Sequence, residues 1–234
     1  MADSRALFGQ AGARLGALAL SAPTVSWLEM ILVEVSLRNR DRFTSFWPIL
    51  KAHYLRTLTG PHVRLSYTTE RRAAGLLKIC TRMISRDHLS GSILEIMGMI
   101  FAQRDEPGAP LAPLAPGAPG AQAMPRAIGL QLAPQISAAV WEILTLNVDL
   151  LPLLPIEQWQ TLFSIISLSA SAGAFSAIKS FESMAWLLHE PRLIAKVPVF
   201  CIIGVRPLVY NVHAPLSVSI GAVQLLMHLH SRLE

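Results

Sequence analysis

Cysteine is nearly missing from this chain of 234 residues: Cys80 and Cys201 are the two it has. That excludes a disulfide framework, so apolar packing has to hold the fold, with both thiols read as small core hydrophobes in a reducing compartment. Charge is scarce as well. Asp, Glu, Lys and Arg supply 15% of the residues, where about a quarter is usual, which excludes a disordered chain or a charged coiled coil. Strand signals are few, and the one β-branched cluster, Val197 to Val205, is read as helix. Catalytic equipment is missing too. There is no phosphate-cradling glycine loop, no paired dinucleotide glycines after a strand and no Gly-x-Ser-x-Gly elbow. His228 and His230 stand two apart, which turns them to different helix faces and away from a shared metal. His53 lies in an aromatic-rich stretch and reads as a packed or bonded core histidine rather than a base. No cofactor and no enzymatic activity are expected.

Apolar residues are what is abundant, at 52% with a mean hydropathy of +0.45. Two classes fit: a helical protein that buries most of its surface, or a polytopic membrane protein. Gln158 to Ile178 and Pro207 to Met227 each run 21 residues without Asp, Glu, Lys or Arg, near the ~20 that span a bilayer. Polar residues recur within both, five serines in the first alone, as in helices packed inside protein. Of the 20 basic residues 16 are Arg. Eleven basic residues against two acids fall between Arg38 and Arg86. Such a stretch suits a phosphate-bearing or acidic partner; the alternative is a solvated arginine-rich helix face. Its candidate surface residues are Arg56, Arg64, Arg71, Arg72, Lys78, Arg82 and Arg86.

Apolar positions at three- and four-residue steps predict helices along most of the chain. The first has Trp27, Leu28, Ile31, Leu32 and Val35 as its face, Ser26 and Glu29 as a capping box, and Asn39 as its stop. Asp41 is expected to cap the second, whose stripe is Phe43, Phe46, Trp47, Leu50, Tyr54 and Leu58, ended by Gly60-Pro61. A third, from about Thr69, turns Ala73, Leu76, Leu77, Cys80 and Ile84 inward and Arg71, Arg72, Lys78 and Arg82 largely outward. A fourth covers Ser92 to Phe101. The tract from Asp105 to Pro125 holds six prolines, which removes backbone donors and leaves no packed element there. Helices resume at Pro134 (Ile136, Val140, Ile143, Leu144) and Pro155 (Trp159, Leu162, Phe163, Ile166). Another runs from Phe175 to His189 through Ile178, Phe181, Ala185 and Leu188. A helix before Tyr210 and one from Pro215 to about Arg232 complete the set.

The domain order is therefore an irregular leader at 1–23, helical repeats at 24–103, a Pro/Ala/Gly-rich linker at 104–133 and further repeats at 134–234. About nine helices of 12 to 18 residues pair in chain order, two before Gly60, two before the proline tract and two after it. A hairpin of ~40 residues cannot bury its face alone. The expected fold is all-α, a HEAT/armadillo-like solenoid with a disordered Pro/Ala/Gly-rich insertion.

The most distinctive words are Arg38-Asn39-Arg40-Asp41-Arg42, then Phe46-Trp47-Pro48 and His53. Read physically, this element is a tight helical corner from which the three arginines project to pair with Asp41, with helix-end carbonyls or with a neighbouring repeat. Together with Glu70 to Asp87, Gln158 to Phe163 and Ser180 to Ser183, it resembles the large Arf guanine-nucleotide exchange factors of the Golgi-specific, brefeldin A-resistant type. The resembling part is their helical region downstream of the exchange domain, and it spans about two-thirds of the chain. What the resemblance implies is a regulatory scaffold, cytoplasmic and peripheral to Golgi membranes, that binds protein partners of the Arf trafficking system and an anionic membrane surface, with no nucleic acid. The family's catalytic glutamate stretch, Phe-Arg-Leu-Pro-Gly-Glu, does not occur, so no catalytic residue carries over. A generic soluble HEAT-like adaptor stands beside this reading.

Overall fold

The structure, a computed structural model, describes residues 21–59, 63, 65–86, 88–101, 128–190, 193, 198–212 and 214–233. The leader through residue 20, Gly60-Pro61, Arg64 and the proline tract lie outside them. Every regular element among the described residues is helical. In chain order these are α1 (Ala22–Arg38), α2 (Phe43–Leu58), α3 (Tyr67–Met83), α4 (Ser90–Phe101), a four-residue α5 (Ile128–Gln131), α6 (Ala133–Leu146), α7 (Ile156–Ala170), α8 (Ala174–His189), α9 (Pro198–Val209) and α10 (Leu216–Leu233). All but α5 run 12 to 18 residues. Local chemistry sets the starts. Ser21 and Ser66 present hydroxyl oxygens to the backbone N–H of Thr24 and Thr69, three residues on. Pro134 sits in the first turn of α6, where a missing N–H costs nothing.

Packing does not follow the expected hairpins. α1 lies chiefly on α3, not on its chain neighbour α2, and α2 lies on α3 and α4. Contacts then join next-but-one helices into two rows. One row is α1, α3, α6, α8, α10; the other is α2, α4, α7, α9; cross-contacts such as α6 on α7 and α9 on α10 tie them. A single buried apolar cluster extends from Val33 in α1 to Leu229 in α10. Because α3 packs on α6 and α4 on α7, that core crosses the position of the proline tract.

Two helix faces differ from the sequence expectation. On α1 the buried residues are Glu29, Val33 and Ser36, whereas Trp27, Leu28, Ile31 and Val35 are exposed. Glu29 forms no capping box, since the helix begins a turn earlier, at Ser21. α1 is apolar on both sides, and periodicity selects the side with more apolar mass. On α8 the buried residues are Ser176, Ala177, Ser180, Ser183, Met184, Leu187 and Leu188; of the expected stripe Phe181, Ala185 and Leu188 do face the core, and Ile178 is exposed. Small residues let α7 and α8 approach: the Ser180 hydroxyl donates to the Ile166 carbonyl at 3.4 Å. Buried hydroxyls need such a partner, and most use their own helix, as Ser183 does with Lys179 O at 2.9 Å. Asp41 is likewise no cap, because a 3-10 turn (Arg40–Arg42) leads into α2 and the N-cap is Arg42.

No helix among the described residues is long and apolar enough to cross a membrane. A polytopic protein is thus left without a spanning helix among them.

Candidate functional site

Three helices meet at one carboxylate. Glu29 of α1 is 6% exposed, and its Oε1 accepts from Arg72 Nε of α3 at 2.8 Å. The same oxygen lies 3.0 Å from His53 Nε2 of α2. Burial alone would push the Glu29 carboxyl upward. Hydrogen bonds from His53 and Arg72, reinforced by their charge, outweigh that and hold it below the ordinary glutamate value. The other oxygen, Oε2, and the neighbouring Tyr54 hydroxyl are buried without a hydrogen-bond partner among the described residues. Burial, and then the negative charge of Glu29, raises the Tyr54 phenol well above its usual range. Nearby Cys80 is fully buried, which pushes its thiol up and keeps it protonated and inert. The cluster therefore clamps charge between helices and offers no activated nucleophile.

Beside it, an open groove of about 680 Å³ runs along α2. Leu32, Pro48, Ile49 and Ala52 line it, with His53 and Arg56 as its polar members. The helical corner between α1 and α2 is Asn39 to Arg42. Asn39 stops α1 twice over, giving both its backbone N–H and its side-chain Nδ2–H to the Val35 carbonyl, at 3.1 and 2.8 Å. Its φ is −96°, so the stop does not use the left-handed conformation. Arg40 Nε donates to the Leu37 carbonyl at 3.1 Å. Asp41 reaches across to Arg86 at 3.8 Å, linking this corner to the one after α3. Trp47 is buried against Phe43, and its indole N–H donates to Ser92 Oγ of α4 at 2.9 Å. Lys51 adds an ion pair to Glu95.

The basic stretch is divided by these contacts. Arg72 points into the Glu29 clamp rather than outward, Lys78 pairs with Glu34 at 2.9 Å, and Arg86 faces Asp41. Arg42, Arg56 and Arg82 are exposed and make no ion pair among the described residues. Arg71 stacks over the Tyr67 ring at 5.2 Å, and Arg38 is exposed near Glu34. Arg64 lies outside the described residues. The described members of this stretch fall on α1–α3 and the corners that follow them, at one end of the two rows; Arg206 of α9 is a further exposed cation.

Sequence reasoning gave Glu29 only a capping role, and gave Ser92 and Glu95 no contact role. Glu29 carried a readable signal, since Glu29, Val33 and Ser36 form an i, i+4, i+7 stripe, but its partners come from other helices and only packing brings them together. Compared with known proteins, this chain matches no family model, no curated protein and no solved structure.

Proposed function

We propose that this protein is a non-enzymatic helical-repeat scaffold, a HEAT-like solenoid akin to the regulatory region of the large Golgi Arf exchange factors. It acts by binding protein partners of that trafficking system and by resting its basic end on an anionic membrane surface. The observation that carries the reading is the gathering of exposed, unpaired Arg42, Arg56 and Arg82 at the α1–α3 end. Next-but-one stacking in two rows is the packing that lets short amphipathic helices bury their faces in series, and it supports the solenoid part of the proposal.

Liposome flotation tests it. Binding to vesicles rich in phosphatidylserine is expected to exceed binding to neutral vesicles and to fall as salt rises. Each surface-proximal cation contributes about 1 kcal/mol, so Arg56→Glu and Arg82→Glu are each expected to weaken flotation severalfold. Equal binding to neutral and anionic vesicles would falsify the electrostatic mechanism. Without the family's glutamate stretch, no stimulation of nucleotide exchange on Arf is expected.

A further inference from the structure

The last helix has two apolar sides. Val218, Ala222, Leu225 and Leu229 are buried against the body of the protein. Leu216, Ile220, Val223 and Met227 face out, with Leu216 75% and Met227 68% exposed. At 3.6 residues per turn the two sets point in opposite directions, and the outer four follow a 4-3-4 step, the spacing of a helix-pairing seam. Tyr210 and Val212, on the connection leading into α10, are also exposed.

We propose that α10 docks a second copy of this chain, two such helices pairing antiparallel about a two-fold axis. Three observations favour a copy of itself over a foreign partner. The first is charge: from Pro207 to Met227 there is no Asp, Glu, Lys or Arg, and the exposed neighbours of the seam are Ser217, Gln224 and His228. A two-fold contact sets each patch against itself, so charge of one sign repels, while pairing between different partners is selected by flanking charges. From Pro207 to Met227 the seam has no such charge to select with and none to repel. The second is area. The four seam residues expose on the order of 400 Å², and Tyr210 and Val212 just before the helix bring the exposed apolar total to on the order of 700 Å², near the ~800 Å² per partner of a standard interface. The third is register. In an antiparallel pair Ile220 meets Val223 of the other copy and Leu216 meets Met227, so the seam is self-complementary in size.

Size-exclusion chromatography with light scattering on the full chain decides it. At about 100 µM a dimer is expected, since a Kd of ~10 µM or tighter leaves most chains paired, and the melting temperature is expected to rise with protein concentration. Ile220→Glu is expected to give a monomer with unchanged helical dichroism, because Ile220 is 51% exposed and lies outside the buried apolar cluster. Ile31→Glu, on the outer face of α1, is expected to leave the dimer intact. A monomeric wild type whose melting is independent of concentration overturns the proposal; if Ile220→Glu then also lowers the melting temperature by several degrees, another segment of the same chain covers the seam. Dissociation by Ile31→Glu, or open-ended polymers, overturns it in favour of head-to-tail contact between α1 and α10.

Discussion

At the scale of the residue, Glu29 does the most for the fold that no other side chain at its position could. It is an acid on the inner side of an apolar helix, kept ionised by two donors from two further helices. Removing one partner of a buried pair costs ~3–5 kcal/mol. Arg72 keeps about a quarter of its side chain in solvent, so Glu29→Gln is expected to cost less, roughly 2 kcal/mol, read from the urea midpoint at pH 7. The pH dependence has a definite sign. The folded carboxyl sits below its unfolded value, so its stabilisation is full above the ordinary glutamate range and is lost as pH falls through the depressed folded value. Wild type and Glu29→Gln should therefore converge in stability on acidification; a constant gap down to pH ~3 would place the effect in packing instead.

At the scale of the element, helices pack as closely as their smallest residues allow. A Cβ on Gly75 of α3 would come within 2.7 Å of Val33 Cγ2 on α1. Valine is branched at Cβ and cannot swing away. Gly75→Ala gains ~1 kcal/mol of helix propensity but pays for overpacking of ~1–3 kcal/mol, so a net loss of about 1 kcal/mol is expected in chemical denaturation. A net gain would show that α1 slides on α3 freely. The same geometry explains what could be read from the sequence. Helix identities and the stripes of α2, α3, α6 and α7 were legible, because each has one apolar side and one polar side. The inner face of α1 was not, and that of α8 was legible only in part, through Phe181, Ala185 and Leu188. α1 carries Trp27, Ile31 and Val35 opposite its core side, and α8 buries serines, which look like surface until a neighbouring backbone satisfies them. Pairing was illegible for another reason: short connections suggest hairpins, yet α1 finds more matching surface on α3 than on α2. Of the candidate site, the corner at Arg38–Trp47 was visible as a turn signal, while the division of the basic stretch into paired and free cations depends on acids placed by other elements.

At the scale of the whole molecule, the two parts on either side of the proline tract share one core through α3 on α6 and α4 on α7. An engineered protease site placed after Gly117 provides a test. After complete cleavage the two pieces are expected to co-elute on size exclusion and to melt together; separate elution would show two independent units. Charge is distributed quite differently from the core. Among the described residues the exposed arginines belong to the first three helices and the corners between them, apart from Arg206 of α9, and no Asp, Glu, Lys or Arg stands from Pro207 to Met227. With eleven basic residues against two acids between Arg38 and Arg86, the molecule carries an excess of positive charge on its early helices. In the field near an anionic surface such an asymmetry biases encounters toward approach by the early helices, with the late helices turned away. Raising the ionic strength would abolish that alignment at distances beyond ~8 Å while leaving the packed helices themselves unaffected.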